Sequence, residues 1–180
     1  MERHRRGKLL TLETALFTAR YLNLLHRRSD VVGLACRSNM TNSFGSGMIQ
    51  TSPASLYLTP SYHVMKLYAG HSRPVPLAVT GAVEGVDASA CASEDGGRLS
   101  IFVVNTRGGP VELPLDLSDL GAGFVPLGGE VVCDTRHLGQ PDIMNHFAVP
   151  DRVRTVDLPI RGNAVTLPAY AVAAVECGTG

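Results

Sequence analysis

The sequence is poor in features that mark whole classes of protein. It has no tryptophan, and its 16 basic and 16 acidic side chains give a formal net charge of zero. A neutral chain is a poor match for nucleic acid or an anionic membrane surface, because both favour a basic face. No apolar run is long enough to span a bilayer, and we expect no targeting signal. The one basic cluster, within residues 3–8, is interpreted as a solvated terminus.

Closely spaced cysteines are also absent, since no CxxC pair occurs. This argues against a cysteine zinc site and against a dithiol redox motif. We therefore expect free thiols in the reducing cytoplasm, with Cys36 buried as a small hydrophobe. The four cysteines are Cys36, Cys91, Cys133 and Cys177.

Recognisable catalytic and metal-binding motifs are missing as well. The sequence has no GxSxG, P-loop, GxGxxG or HExxH. Three groupings of candidate side chains have no recognised metal spacing and no evident third orienting group. We predict no metal, no cofactor and no catalytic residue from them. The groupings are Cys133 with Asp134 and His137, Asp142 with His146, and His63 with His71.

The N-terminal part, residues 1–71, has the pattern helix, strand, loop, helix. Apolar residues at helical spacing predict a helix over 12–28, with Thr11 as its cap. The almost wholly apolar run VVGLAC, residues 31–36, is typical of a strand covered on both faces, as in a parallel sheet. A second helix is predicted over residues 60–69, with Thr59 as its cap and Pro60 at its first position.

Residues 72–180 have a different pattern, in which short apolar stretches alternate with turn signals. VELPLDL, residues 111–117, alternates strictly, and Pro114 marks it as an edge strand. Further strands are predicted in RLSIFVVN, GEVVCD, RVRTVDLPI, AVTLP and YAVAAVEC. Many short strands with Gly and Pro turns predict a mostly β fold with a C-terminal β-sandwich.

The N-terminal α-β-α segment is incomplete by itself, because a strand buried on both faces needs parallel neighbours. The loop that follows residues 31–36 holds Asn39, Asn42, Ser43 and Gln50, which are neutral hydrogen-bonding groups suited to a hydroxylated ligand. Asn and Ser also satisfy loop backbone for local reasons, so Gln50 is the strongest candidate. Hydrolysis of a glycoside needs two carboxylates. The only ones in residues 1–71 are Glu2, Glu13 and Asp30, and none is placed for that role.

One long stretch, ALFTARYLNLLHRRSDVVGLACRSNMTNSFGSGMIQT, resembles family 51 glycoside hydrolases, the α-L-arabinofuranosidases. SIFVVN, MNHFAVPDRVRTVDLPI and VTLPAYAVAAVE resemble the closing sandwich of the same enzymes. The resemblance implies that residues 1–71 are the end of a (β/α)8 barrel, comprising helix 7, strand 8 and helix 8. Residues 72–180 would be a jelly-roll-like β-sandwich domain.

What the resemblance implies about function is hydrolysis of terminal α-L-arabinofuranosyl residues by a retaining mechanism. Gln50 would contact the sugar, and Asn42 would lie near it at the strand end. The two catalytic glutamates would lie upstream of this chain. An arabinose-containing oligosaccharide or polysaccharide would be the partner, and a homo-oligomer is plausible because family members commonly assemble.

Two alternatives stay open from the sequence. The chain could be a non-catalytic β-sandwich module for carbohydrate or subunit contacts, although its few aromatic residues form no evident stacking platform. It could also be an independent hydrolase that uses the His, Asp and Cys groupings above. The lack of a triad-like arrangement makes the second alternative the weakest.

Overall fold

A computed structural model describes residues 8–43, 47–120 and 123–179. The fold is mostly β, as predicted, with two antiparallel sheets packed face to face. Their strands are β3 (Val75–Leu77), β4 (Val86–Ala92), β5 (Arg98–Asn105), β6 (Val111–Pro114), β7 (Phe124–Asp134), β8 (Val153–Asp157), β9 (Ile160–Arg161), β10 (Ala164–Leu167) and β11 (Ala171–Thr179). The larger sheet has six strands in the order β3-β4-β5-β11-β7-β8, and the smaller has three in the order β6-β10-β9.

The six-stranded sheet is buried on both faces, which explains why its strands are so apolar. Along β5, Ile101 and Val103 face the three-stranded sheet, whereas Phe102 and Val104 face the opposite way. This is the two-residue period of a strand. The core between the two sheets also holds Val111, Leu113, Val165, Leu167, Ala171, Ala173 and Val175.

Two helices cover the other face of the six-stranded sheet. They are α1 (Leu12–Arg27) and α2 (Pro60–His71), and the side chains of Thr11 and Thr59 cap them as predicted. Tyr68 of α2 stacks on Phe102 of the sheet, with ring centroids 4.3 Å apart. The inner faces of the helices and this sheet face form one core. The helix residues in it are Leu12, Ala15, Leu16, Ala19, Val64, Leu67 and Tyr68.

The predicted edge strand is confirmed, but four short strands were not predicted. β6 lies at the edge of its sheet and alternates buried and exposed residues up to Pro114. β3 and β4 were not predicted; β4 has the sequence VDASACA, whose small residues give a weak strand signal. A small hairpin was also missed, formed by β1 (Ile49–Thr51) and β2 (Leu56–Leu58).

The prediction of a strand over residues 31–36 is wrong for this structure. The segment has no helix or strand assignment, and the Leu34 side chain is 82% exposed. Cys36 is exposed too, which corrects the prediction that it is buried. A strand requires a hydrogen-bonding neighbour, and no strand of the described ranges pairs with this run.

Candidate functional site

The polar loop after residues 31–36 is closed by backbone pairing of its two ends. The Ile49 amide donates to the Met40 carbonyl at 2.8 Å, and the Asn42 amide donates to the Ile49 carbonyl at 3.0 Å. Asn42 has a φ of 49°, the left-handed conformation that asparagine tolerates better than most residues. The loop therefore brings Asn42 beside the start of β1, where Gln50 lies.

Asn42 is held by Thr51 of the hairpin. Its Nδ2 donates to Thr51 Oγ1 at 2.6 Å, and its Oδ1 accepts from the Thr51 amide at 2.7 Å. Both ends of the side-chain amide are thus engaged within the loop. In this arrangement, Asn42 orients Thr51 and fixes the end of the loop.

Gln50 lies on β1, directly opposite Tyr57 of β2, and is half-buried. Its Nε2 donates to the Gly47 carbonyl at 2.8 Å. Gly47 is required at this position, since a Cβ there would lie 2.7 Å from the Ser43 amide nitrogen and 2.8 Å from Gln50 Nε2. The sequence reasoning missed Gly47, although a glycine three residues before the candidate glutamine was a usable signal of close backbone approach.

The hairpin is fastened to the sandwich by the loop of residues 141–150. Asn145 is fully buried, and its Nδ2 donates to the Leu58 carbonyl at 2.8 Å and to the Val153 carbonyl at 2.7 Å. Its Oδ1 accepts from the Val153 amide at 2.7 Å. Phe147, in the same loop, packs edge-on against Tyr57 with ring centroids 4.9 Å apart. These contacts of Asn145 and Phe147, called here the hairpin clamp, could not be predicted from the sequence.

The sequence matches the α-L-arabinofuranosidase C-terminal domain family over residues 2–171. The chain belongs to this family. Among curated proteins, a search found no match. The family match agrees with the resemblance seen in the sequence and covers the loop, the hairpin and most of the sandwich.

Solved structures of α-L-arabinofuranosidases resemble this family member closely in fold. The arabinose complex of the enzyme from Thermotoga maritima has a TM-score of 0.74 and 24% identity, covering 94% of this chain and 39% of that one. The thermostable family 51 enzyme from Thermotoga petrophila has a TM-score of 0.74 and 22% identity, covering 96% and 39%. The family 51 enzyme from Bifidobacterium longum has a TM-score of 0.71 and 20% identity, covering 93% and 35%.

This chain therefore spans between 35% and 39% of the length of these solved relatives. Among the residues that the structure describes, no helix is long and apolar enough to cross a membrane. The described part also contains no group of three or more His, Cys, Asp or Glu side chains placed to hold a metal ion.

In the grouping of Cys133, Asp134 and His137, the aspartate has a structural role. Asp134 accepts hydrogen bonds from the amides of Arg136 and Leu138 and pairs with Arg152, so it organises a turn. Burial, and then the nearby charge of Lys66, lower the pKa of His63 to about 4. In the described residues, no side-chain hydrogen bond joins Asp142 to His146 or His63 to His71.

Exposed apolar side chains of α1 and of residues 31–36, the run that precedes the candidate loop, are here called the exposed apolar surface. On α1, Phe17, Tyr21 and Leu24 follow each other at helical spacing on the side away from the sandwich, and Phe17 is 69% exposed. Val31 and Leu34 of the unpaired run add to the exposed apolar area. Large exposed apolar patches mark sites that contact protein, membrane or ligand.

Proposed function

We propose that this chain is the C-terminal part of an α-L-arabinofuranosidase, a hydrolase that removes terminal non-reducing α-L-arabinofuranosyl residues from arabinosides, arabinan or arabinoxylan. The observation that carries the proposal is the family match over residues 2–171. The reaction would retain configuration, with one glutamate attacking the anomeric carbon and a second protonating the leaving oxygen. Both glutamates would come from polypeptide outside these 180 residues.

Glu13 and Asp30, the two described carboxylates of the N-terminal part, have other roles, which supports that division of labour. Glu13 lies in the first turn of α1, where its negative charge interacts favourably with the helix dipole. Asp30 pairs with Arg28 at 3.2 Å on the surface. In the described residues, no hydrogen bond joins Glu13 or Asp30 to Gln50, whose side chain bonds to Gly47. Glu2 lies outside the described residues.

In this proposal, the loop and hairpin form one wall of the arabinose pocket. Gln50 would contact the sugar through its side-chain amide, which offers both a donor and an acceptor to hydroxyl groups. Asn42 would lie beside the sugar and hold Thr51 in place through its two hydrogen bonds. The hairpin clamp at Asn145 would keep this wall at a fixed position against the sandwich.

The exposed apolar surface supports a further part of the proposal. We propose that residues 1–71 complete a (β/α)8 barrel and that residues 72–180 form the accessory sandwich domain. Residues 31–36 would then pair as a strand, and Phe17, Tyr21 and Leu24 would become buried against the rest of the barrel. This would remove from water the side chains that the chain alone leaves exposed.

The first test is hydrolysis of a chromogenic α-L-arabinofuranoside by the 180-residue chain and by a chimera. In the chimera, this chain replaces the matching segment of the Thermotoga maritima enzyme. We expect no turnover by the chain alone, turnover by the chimera, and retention of anomeric configuration in the product observed by NMR. A folded chimera without activity, or turnover by the chain alone, would contradict the proposal.

Variants of the chimera test the two site residues. Gln50→Ala should lower activity strongly, whereas Gln140→Ala, at an exposed glutamine of another loop, should not. Asn42→Ala is compared with Asn39→Ala, because both positions have positive φ and carry the same backbone cost. If Gln50→Ala lowered activity no more than Gln140→Ala, the proposed role of Gln50 would be contradicted. The same holds for Asn42→Ala if it lowered activity no more than Asn39→Ala.

A second candidate function is non-catalytic support or subunit assembly by the sandwich, favoured by the same exposed apolar surface. In that case a second copy would cover Phe17 and Leu34. Sedimentation equilibrium of the chain should then show a dimer that Phe17→Ser weakens.

We also propose a cytoplasmic location, because all four cysteines are free. The proposed partner is an arabinose-containing oligosaccharide or polysaccharide.

A further inference from the structure

The last residue of α2, His71, lies between two carboxylates of the six-stranded sheet. Its Nδ1 is 2.7 Å from Glu176 Oε1 on β11, and its Nε2 is 2.8 Å from Glu130 Oε2 on β7. β7 and β11 are adjacent strands of that sheet. The ring therefore bridges two neighbouring strands from the end of a helix.

Further charged and polar groups of the sheet adjoin this bridge. Arg73 donates to Glu176 through Nη2 and to Ser100 Oγ through Nε at 2.9 Å, and Ser100 Oγ donates to Glu176 Oε1 at 2.8 Å. The remaining titratable groups nearby are the Cys91 thiol, which accepts from the Arg73 amide, and Asp157, which is directly opposite Glu130 on β8. Elements β4, β5, β7, β8 and β11 all contribute.

The geometry fixes the protonation state of the ring. A neutral imidazole has one N–H donor and one acceptor, so it can satisfy only one of two facing carboxylates. Its other nitrogen would present a lone pair to the second carboxylate. Both nitrogens lie within 2.8 Å of carboxylate oxygens, and when both carboxylates are ionised only the doubly protonated ring can donate to each of them. A cation also suits this position, because the C-terminal end of a helix favours positive charge.

We propose that His71 is a pH-sensitive clasp, doubly protonated when closed, that fastens the end of α2 to β7 and β11 and loosens when the ring loses a proton. At its other end, α2 adjoins the hairpin, since the Thr59 amide donates to the Met48 carbonyl at 2.9 Å. The clasp thus stabilises the position of the helix that follows the Gln50 hairpin. It does not depend on the proposed enzymatic function.

The pKa values agree with this geometry. Burial lowers the pKa of His71, but the hydrogen bonds to Glu130 and Glu176 and their negative charges outweigh burial and raise it above 6.5. For Glu176 the directions are reversed. Burial raises its pKa, but its hydrogen bonds with His71, Ser100 and Arg73 outweigh burial and lower it. Because the folded state binds the His71 proton more tightly, the clasp contributes its full stability below pH 6.5. It loses that stability as pH rises through the folded pKa.

The decisive experiment is an NMR titration of the six histidine rings in the full chain, with His71 assigned through its resonances. We expect the His71 midpoint to lie above 6.5 and to fall in Glu130→Gln. The matched control is Glu112→Gln, which removes an exposed carboxylate from the other sheet and should leave the midpoint unchanged. A His71 midpoint at or below 6.5, or equal shifts in both variants, would overturn the proposal.

A second measurement tests whether the clasp stabilises the fold in a pH-dependent way. The free energy of unfolding of the wild-type chain is compared with that of His71→Gln between pH 6 and pH 9, by chemical denaturation. The glutamine side chain of this variant keeps a donor group but cannot gain or lose a proton in this range. The advantage of the wild type should shrink as pH rises, and a difference that stays constant across the range would overturn the clasp. If the variant does not fold, the titration of the wild type and Glu130→Gln decides.

Discussion

Residues 31–36 (VVGLAC) and residues 171–177 (AVAAVEC) are similarly apolar, yet the fold treats them in opposite ways. The second run is most of β11, which lies between β5 and β7 and is almost completely buried. The first run has no strand partner in the described residues and is mostly exposed. Apolar composition thus gives a segment the capacity to be a buried strand, and a neighbouring strand on each side decides whether it becomes one.

The sharpest test of this contrast is the reactivity of the cysteines. Cys36 is exposed, whereas Cys133 and Cys177 are buried, and burial is the main cause that raises the pKa of both thiols to about 11. At pH 8 only about one in a thousand of such thiols is a thiolate, even before burial blocks access. We expect Cys36 to react with a chromogenic disulfide reagent on the order of a hundredfold faster than Cys133 or Cys177.

Two controls make that result specific. Cys36→Ser should abolish the fast reaction, and unfolding in guanidinium should make every remaining cysteine react quickly. A fast phase that survives in Cys36→Ser would mean that the sheet opens locally, and the contrast between the two runs would fail.

The second test compares one large side chain from each region. Phe102 is fully buried and stacks on Tyr68, so Phe102→Ala should lower the free energy of unfolding by about 3–5 kcal/mol. Leu34→Ala removes a side chain that is already in water and should change it by less than about 0.5 kcal/mol. Both are measured by chemical denaturation. Similar losses would mean that residues 31–36 pack in solution.

The elements that the sequence predicted well are those with a strong local signal. Thr11 and Thr59 cap the helices at the predicted residues, and the alternation before Pro114 marked an edge strand. β4 was missed because its small residues become strand-like only through pairing with β5. The strand over residues 31–36 was predicted from local composition, and the error lies in the missing partner.

The candidate site divides in the same way. Gln50 and Asn42 were singled out from their position after an apolar run, and the loop brings both beside Thr51. The sequence could not reveal that Asn145 holds the hairpin from 87 residues away, nor that His71 lies between Glu130 and Glu176. These contacts form only when the hairpin, the loops and the helices pack against the sheet, so the spacing of residues along the chain does not predict them.

The third test addresses the connection between the two regions. Asn145→Ala removes three hydrogen bonds of a buried side chain and leaves the groups of Leu58 and Val153 without those partners. We expect a loss of about 2–3 kcal/mol in the free energy of unfolding, at about 1 kcal/mol for each bond. Asn163→Ala, at an exposed asparagine, is the matched control and should have little effect. Equal losses would show that the hairpin does not depend on this clamp.

The smallest expected effect belongs to the loop itself, where side-chain hydrogen bonds replace strand pairing. Asn42 and Asn39 both have positive φ, but only Asn42 bonds to Thr51 among the described contacts. Asn42→Ala should therefore cost about 0.5–1 kcal/mol more than Asn39→Ala, because these exposed bonds compete with water. Chemical denaturation of both variants measures the difference. If the two variants are equally stable, the loop is held by its backbone bonds to Ile49, and the apolar run before it is tethered without help from Asn42.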